Sequence, residues 1–196
     1  EAYRVPVVLV FNKMDMLDAE ELHYEQMMMT LYDTIGYQCF EVSASTGEGI
    51  DKIRPLLKDQ VTLLSGNSGV GKSTLINLFL PGAHLKTAEI SDAHNTGMHT
   101  TTFSEMLSLP EGGFVIDTPG IKGFGTFDIE KEELTSYFKE IFHFSKSCRF
   151  NNCTHTHEPG CAVRKAVEEH YIAESRYQSY LSMLEDKDEN KYREAF

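Results

Sequence analysis

The segment Gly66–Ser73, GNSGVGKS, constrains the fold of this 196-residue chain more than any other part of the sequence. It matches the pattern G-x-x-x-x-G-K-[ST], in which backbone amides surround phosphate groups, the lysine reaches the terminal phosphates and the last hydroxyl binds Mg²⁺. The pattern requires a strand before it and a helix after it, and the apolar runs Val61–Ser65 and Ser73–Leu80 supply them. We therefore expect an α/β fold. The residues expected around the phosphates are Asn67, Ser68, Gly69, Val70, Gly71, Lys72, Ser73 and Thr74.

Two further predicted strands precede this loop. The run Val5–Phe11 is continuously apolar and β-branched, which is typical of a parallel strand buried on both faces. Asp18 and Glu21 have the spacing of a capping box, which predicts a helix from there to about Ile35, and Tyr37–Val42 is the second strand. This alternation of strand and helix predicts a parallel sheet. We expect Met27, Met28 and Met29 of this helix to fill the core of the domain.

Two short motifs at these strand ends are suited to recognising a base. The Asp15 carboxylate of NKMD can accept hydrogen bonds from the ring N–H and the exocyclic amine of guanine, a pair that adenine lacks. The SAS motif at Ser43–Ser45 can donate a backbone N–H to the guanine carbonyl. Ligands of open α/β sheets bind at such carboxyl ends of strands. The residues that we assign to the base are Asn12, Lys13, Asp15, Ser43 and Ala44.

A fourth motif, DTPG at Asp117–Gly120, follows an apolar strand. In that position Asp117 is expected on the magnesium side of the site, and Gly120 is expected to contact the γ-phosphate. That strand and the preceding TFSEMLSL are expected to be joined by the short connection Pro110–Gly112. The polar stretch Ala93–Glu105 lies where a switch loop belongs, and Thr100, Thr101 or Thr102 can supply a second hydroxyl to Mg²⁺. We assign Mg²⁺ to Ser73, Thr101 and Asp117.

These four motifs are the set of the GTPase superfamily, but their order is rotated, because the phosphate loop follows the base-recognising motifs. Strands of a sheet can follow another order in the chain if their carboxyl ends still converge, so a circular permutation preserves the site. Ile121 stands where Ras-type enzymes have a Gln that orients water. His99 is the candidate for that role, and the alternative is a solvent-facing loop histidine.

Three of the four cysteines lie within fourteen residues beside histidines, which favours a metal site over disulfides. Cys148, Cys153 and Cys161 with one histidine form a closed tetrahedral Zn²⁺ shell, which is a structural arrangement. His155 or His157 can be the fourth ligand. We expect the remaining Cys39 to be a buried small hydrophobic residue.

The C-terminal part changes character near Gly125, where we expect a boundary between a GTPase domain, 1–125, and a helical zinc-binding domain, 126–196. Helices are predicted near Glu130–Phe144 and over Val163–Leu184, followed by a solvated charged tail. The second helix carries basic and aromatic residues that either contact RNA or pack inward: Arg164, Lys165, Arg176, Tyr177 and Tyr180.

The net charge of −12 argues against a chain that binds nucleic acid over its whole surface, so an RNA contact must be local. The sequence has no apolar run long enough for a membrane span and no signal-peptide pattern, so we expect a cytoplasmic protein, and a monomer. The chain opens at Glu1 without a Met, close to an apolar strand, and we interpret it as part of a longer polypeptide.

The combination NKMD, SAS, GNSGVGKST, GMHTTT, DTPG and CRFNNCTHTHEPGC resembles the bacterial ribosome small subunit-dependent GTPases, often called RsgA, over nearly the whole chain. The resemblance implies a circularly permuted GTPase that assists late maturation of the small ribosomal subunit and is stimulated by it. It implies Zn²⁺ ligation by His155 rather than His157, and a role in hydrolysis for the histidine at the place of His99. Met98 stands where family members commonly carry Arg.

The family's N-terminal RNA-binding OB-fold has no counterpart in the sequence, and neither do the first strand and helix of the usual GTPase domain. Three alternatives remain open at this point: a GTP-controlled binding module with little hydrolysis, a permuted GTPase with another assembly target, and an adenine-nucleotide enzyme.

Overall fold

The computed structural model describes residues 1–83, 105–118 and 130–185. Within them, residues 8–118 form one compact unit, and residues 1–7 with 130–185 form another. Five strands and seven α-helices lie in these described ranges: β1 Val8–Phe11, α1 Ala19–Ile35, β2 Gln38–Glu41, α2 Ile50–Leu57, β3 Val61–Leu64, α3 Lys72–Phe79, β4 Glu105–Ser108, β5 Phe114–Asp117, α4 Lys131–Tyr137, α5 Lys139–Ser145, α6 Ala162–Glu168 and α7 Glu174–Glu185. No described helix combines the length and the apolar character that crossing a bilayer requires.

The strands of the first unit form two sheets instead of the single sheet that the sequence predicts. β1 pairs in parallel with β2, and β3 pairs in parallel with β5, while β4 lies antiparallel on the other side of β5. The antiparallel pair follows from the short connection after Ser108, since a hairpin can join antiparallel strands but a parallel pair needs a crossover. The predicted strand–helix alternation is confirmed for β1, α1, β2, β3 and α3.

Helix α1 begins at the predicted capping box. The Asp18 carboxylate accepts hydrogen bonds from the amides of Glu20 and Glu21 at 2.9 Å, and the Asp18 amide donates to Glu21 Oε2 at 3.0 Å. Gly36 ends the helix in the left-handed conformation, with φ 96°. The expectation that Met27, Met28 and Met29 fill a core is wrong, because α1 buries none of its residues and Met27 is 52% exposed. The two-stranded sheet beside α1 offers too little surface to cover the helix.

The core of the first unit lies between α2, α3 and the strands. Ile76 on α3 and Val115 on β5 are fully buried, and Ile50, Ile53 and Leu57 place one face of α2 against the same cluster. Helix α2 is not among the elements predicted from the sequence, although its buried residues have helical spacing. This core supports the loops at both ends of α3.

The second unit contains four short helices instead of the two that the sequence predicts. Val163–Leu184 is not one helix, since α6 ends at Glu168 and α7 begins at Glu174. His170 between them has φ 62°, and the amides of Tyr171 and Ile172 both donate to Ala166 O. A left-handed residue cannot continue a helix, so the chain turns there. The four helices bury a shared cluster: Leu134, Phe138, Ile141, Cys161, Val163, Ala166, Ile172 and Tyr180.

We predict that Ile76→Ala lowers the free energy of unfolding of the first unit by about 2–5 kcal/mol, because it empties a fully buried site. Met27→Ala is the matched control and should change this free energy by less than about 0.5 kcal/mol, because Met27 is mostly exposed. Denaturant unfolding monitored by circular dichroism measures both. Equal effects of the two substitutions would contradict the assignment of the core.

Candidate nucleotide and metal sites

The residues predicted to recognise a base come together at the carboxyl ends of β1 and β2. The Asp15 carboxylate accepts a hydrogen bond from Ser43 Oγ at 2.6 Å and another from Ser45 Oγ at 2.5 Å. These two hydroxyls lower the pKa of Asp15, so the side chain is a carboxylate at neutral pH. A carboxylate has about four lone-pair positions, and two remain for donors of a base. Ser43 is buried, so its hydroxyl is held in place and in turn orients the Asp15 carboxylate.

Asn12 connects the base-recognising segment to the phosphate loop. Its Oδ1 accepts a hydrogen bond from the Ala44 amide at 2.9 Å, and its Nδ2 donates to Val70 O at 2.8 Å. Gly71 has φ 97°, and a Cβ built on it would collide with Asn12 Nδ2. A glycine is therefore required at this position for both conformation and space. One side chain thus joins three motifs that are far apart in the sequence.

The phosphate loop runs from β3 to the start of α3, as its motif requires. Lys72 is the first residue of α3, and Ser73 and Thr74 follow it in the first turn. Lys72 Nζ donates to Gly66 O at 2.7 Å and to Asn67 O at 2.9 Å, so the ammonium group lies across the opening of its own loop. The remaining predicted phosphate residues, Ser68, Gly69 and Val70, lie in the turn between these ends.

Asp117 lies beside this loop because β3 and β5 are parallel and in register, with Leu64 opposite Asp117. The next residue, Thr118, donates from Oγ1 to Leu64 O at 2.8 Å. Asp117 is 2% exposed, and burial raises the pKa of its carboxyl, against the opposing effect of Lys72. Glu105, opposite it on β4, raises this pKa further. A nearby cation favours the ionised form of a carboxyl group in such surroundings. The position of Asp117 is therefore compatible with a residue on the magnesium side of the site.

Three residues predicted for the nucleotide site, His99, Thr101 and Gly120, lie outside the described residues.

The predicted cysteine–histidine cluster forms one compact site in the second unit. Single ligand atoms of Cys148, Cys153, His155 and Cys161 lie within 4.8 Å of one another. Cys148 Sγ is 4.0 Å from Cys161 Sγ, and His155 Nδ1 is 3.6 Å and 3.4 Å from these two sulfurs. The edges of a tetrahedral Zn²⁺ site with these ligands are about 3.5–3.8 Å long. The four residues therefore fit a four-coordinate metal ion.

His157, the alternative ligand, lies elsewhere. It is exposed, and its Nδ1 is 2.8 Å from Thr156 Oγ1. His155 is completely buried, and its Nε2 has no hydrogen-bond partner among the described residues. Burial lowers the pKa of His155, so its imidazole is neutral, as a metal ligand must be.

Each sulfur of the cluster receives a backbone N–H. The Ala162 amide donates to Cys148 Sγ at 3.3 Å, and the Arg164 amide donates to Cys161 Sγ at 3.4 Å. The His155 amide donates to Cys153. Burial nevertheless raises the pKa of Cys161 and raises the pKa of Cys153 to about 12. The thiols of Cys153 and Cys161 are therefore protonated at neutral pH until a metal ion displaces their protons.

The aromatic residues of α7 pack inward. Tyr180 is 1% exposed, and its hydroxyl donates to Thr154 O at 3.1 Å. The Tyr177 hydroxyl donates to His155 O at 2.5 Å. Arg176 forms a half-buried ion pair with Glu140 at 2.6 Å. The two tyrosines thus pack inward and contact the metal loop, while Arg176 pairs with a residue of α5.

Glu158 is a residue of this site that the sequence analysis missed. Its carboxylate accepts hydrogen bonds from Thr154, Thr156 and His157. Burial alone would raise its pKa, but these hydrogen bonds outweigh burial and hold the pKa at about 2. The only available signal in the sequence is its position between two ligands, three residues from each.

Cys39 is half-buried in β2, and burial raises the pKa of its thiol. Its Sγ lies 3.5 Å from the carbonyl oxygen of Tyr37, the residue that precedes β2. It is therefore less buried than the sequence analysis expects.

Comparisons with known proteins agree with this arrangement. The family model described as RsgA GTPase matches residues 1–127. A protein of Bacteroides fragilis named small ribosomal subunit biogenesis GTPase RsgA is 67% identical over all 196 residues, which cover 63% of that protein. A protein of the same name from Phocaeicola vulgatus is 63% identical over the same 196 residues and the same share of its length. The chain thus spans somewhat less than two thirds of these relatives.

Solved structures show the same fold. The crystal structure of YjeQ from Thermotoga maritima matches with a TM-score of 0.74 and 38% identity, over 92% of this chain and 59% of that one. The structure of YloQ, described as a circularly permuted GTPase, matches with a TM-score of 0.70 and 32% identity, over 90% and 55%. The rotated motif order, the α/β fold and these similarities together show that the chain belongs to the RsgA GTPase family.

Proposed function

We propose that this chain binds and hydrolyses GTP as part of a protein that acts in maturation of the small ribosomal subunit. The observation that carries the proposal is the pair of Asn12 hydrogen bonds, which joins the base-recognising segment at Ala44 to the phosphate loop at Val70. The names of the relatives supply the biological setting. We further propose that the protein is cytoplasmic, monomeric and independent of membranes.

The proposed nucleotide site follows from the described contacts. Asp15 accepts hydrogen bonds from the guanine edge, and a backbone N–H of the segment Ser43–Ser45 donates to the guanine carbonyl. Lys72 leaves the carbonyls of Gly66 and Asn67 and turns to the phosphates, because phosphate oxygens carry more charge than peptide oxygens. The full set of proposed GTP ligands is Asn12, Lys13, Asp15, Ser43, Ala44, Asn67, Ser68, Gly69, Val70, Gly71, Lys72, Ser73, Thr74 and Gly120.

In the proposed reaction, water attacks the γ-phosphate while Lys72 and backbone amides of the loop stabilise the developing negative charge. His99 holds the attacking water. Ser73, Thr101 and Asp117 would hold Mg²⁺, which when bound neutralises charge on the phosphates. The protein thus contributes position and electrostatics, and it forms no covalent intermediate.

We propose that Cys148, Cys153, His155 and Cys161 hold a structural Zn²⁺ ion. Four protein ligands leave no open position for a substrate, and thiolate ligands with one imidazole are typical of such sites. The ion would stabilise the loop 148–161, which contributes only Cys161 to the buried apolar cluster of the second unit. The proposed division of the chain into domains at residue 125 assigns this site to the C-terminal domain.

An rRNA contact on the second unit is supported by local composition. Residues 141–157 contain no Asp or Glu, in a chain with 30 acidic residues. Lys146 Nζ is 4.7 Å from the ring centroid of Phe142, and Arg149 Cζ is 5.4 Å from that of Phe150. Both phenylalanines are at least 40% exposed. Exposed aromatic rings beside cations suit stacking with unpaired RNA bases.

The direct test measures GTP turnover by this chain with and without purified small ribosomal subunits, beside the full-length Bacteroides fragilis relative. We expect the subunits to stimulate GTP turnover by the relative. The His99→Ala substitution in this chain, and the corresponding substitution in the relative, should abolish stimulated turnover while GTP affinity is retained. His94→Ala, in the same polar stretch, is the control. Absence of turnover in every protein would contradict hydrolysis and favour a GTP-controlled binding module.

We predict that Asp15→Asn weakens GDP binding about 10- to 100-fold, because an amide replaces the charged acceptor for two guanine donors. The variant should gain affinity for xanthosine diphosphate, whose base presents a carbonyl where guanine has its amine. Calorimetric titration of GDP, ADP and xanthosine diphosphate measures this change of preference. Asp51→Asn, an exposed site on α2, is the charge-matched control. An unchanged preference for GDP over ADP would contradict the assignment of the base.

We predict that Zn²⁺ affinity increases with pH between pH 6 and 8. The raised pKa values of Cys153 and Cys161 mean that binding displaces thiol protons, which costs up to roughly tenfold in affinity per pH unit for each proton. Competition with a chromophoric chelator measures the affinity. Cys153→Ser should abolish tight binding and lower the melting temperature of the second unit, whereas Cys39→Ser should do neither. An affinity independent of pH would contradict thiol ligation.

A further inference from the structure

The loop that carries His155 is held by one carboxylate. Glu158 Oε1 accepts hydrogen bonds from the Thr154 amide at 2.7 Å and from Thr154 Oγ1 at 2.6 Å. Glu158 Oε2 accepts from the amides of Thr156 at 3.1 Å and His157 at 3.2 Å. Three backbone donors of a four-residue segment thus converge on one side chain, and they bracket His155.

His155 has a backbone conformation that needs such support. Its φ is 61°, in the left-handed region, which is uncommon for a residue with a side chain. Its carbonyl accepts a hydrogen bond from the Tyr177 hydroxyl, and its amide donates to the Cys153 sulfur. The main chain of His155 is therefore fastened on both sides, and Glu158 fixes the residues next to it.

The imidazole ring itself has little polar support. A metal-ligating histidine usually donates its second N–H to a carboxylate or carbonyl, which sets the direction of the ring. Here Nδ1 faces the sulfurs, while Nε2 is buried without a hydrogen-bond partner among the described residues. The direction of the ring must therefore come from the backbone and from packing against Tyr180, whose ring centroid is 6.0 Å away.

We propose that Glu158 is a positioning residue for the metal site: its carboxylate holds the segment from Thr154 to His157 in the conformation that directs the His155 imidazole at the cysteine sulfurs. This proposal rests on the proposed metal site. It gives Glu158 the role that a carboxylate on the second imidazole nitrogen has in other metal sites, but acting through the main chain.

Glu158→Gln tests the proposal with little change in shape. The amide of Gln keeps one acceptor oxygen, and its NH₂ group faces two of the four donors whichever way the amide turns. Titration of the full chain with Co²⁺ gives both the affinity and the absorption spectrum of a thiolate-coordinated tetrahedral ion. We expect Glu158→Gln to bind Co²⁺ about 10- to 100-fold more weakly than the parent chain. Glu169→Gln, an exposed carboxylate on the same unit, should bind as the parent does.

The direction in which Glu158→Gln changes Co²⁺ affinity distinguishes a positioning role of Glu158 from an effect of its negative charge. If Glu158 acted only through its negative charge near the thiolates, removing that charge would favour ionised thiols and tighten metal binding. Tighter binding, or binding within twofold of the parent, would overturn the proposal while leaving the metal site intact. A parent chain that gives no thiolate-coordinated Co²⁺ spectrum would overturn both.

A second variant decides the question if Glu158→Gln does not fold by circular dichroism. Tyr177→Phe removes only the hydroxyl that donates to His155 O and keeps the ring. We expect Co²⁺ binding several-fold weaker than in the parent, because the His155 backbone loses one of its supports. Unchanged affinity in Tyr177→Phe would contradict the control of the ligand through its main chain.

Discussion

The two hydrogen bonds of the Asn12 side chain are the interaction on which the nucleotide site depends. They connect Ala44, after β2, with Val70, in the phosphate loop. The strands that carry these segments belong to separate hydrogen-bonded sheets, so the sheet itself does not join them. An amide side chain suits this position, because it has an acceptor and a donor on one rigid group. The rotated order of motifs is compatible with one site because this contact is independent of chain order.

The two candidate sites share a way of fixing functional groups. In the nucleotide site, two hydroxyls hold the Asp15 carboxylate, and in the metal site one carboxylate holds several backbone amides. In both, the functional group is oriented by hydrogen bonds within a few residues of a strand or helix end. Rotamer and loop freedom is thus removed before a ligand arrives, which lowers the entropic cost of binding.

Sequence reasoning succeeded where the physical cause is local. The capping box at Asp18, the phosphate loop before α3 and the cysteine spacing each depend on a few adjacent residues. It failed where packing over long distances decides, as for the exposed Met27, which lacks a partner surface. It also failed at His170, whose left-handed conformation divides a predicted helix. Glu158 escaped notice because three of its four hydrogen-bond donors are backbone amides, which leave no mark on the pattern of side chains.

The most direct test of the central account is the affinity of Asn12→Ala for pyrophosphate and for GDP, each with Mg²⁺. Pyrophosphate has no base and can contact only the phosphate loop, so its affinity measures the state of that loop alone. If Asn12 holds both halves of one site, the substitution weakens pyrophosphate binding as well as GDP binding, since Val70 loses its donor. Pyrophosphate affinity equal to that of the parent, with GDP affinity reduced, would confine Asn12 to the base and contradict the account.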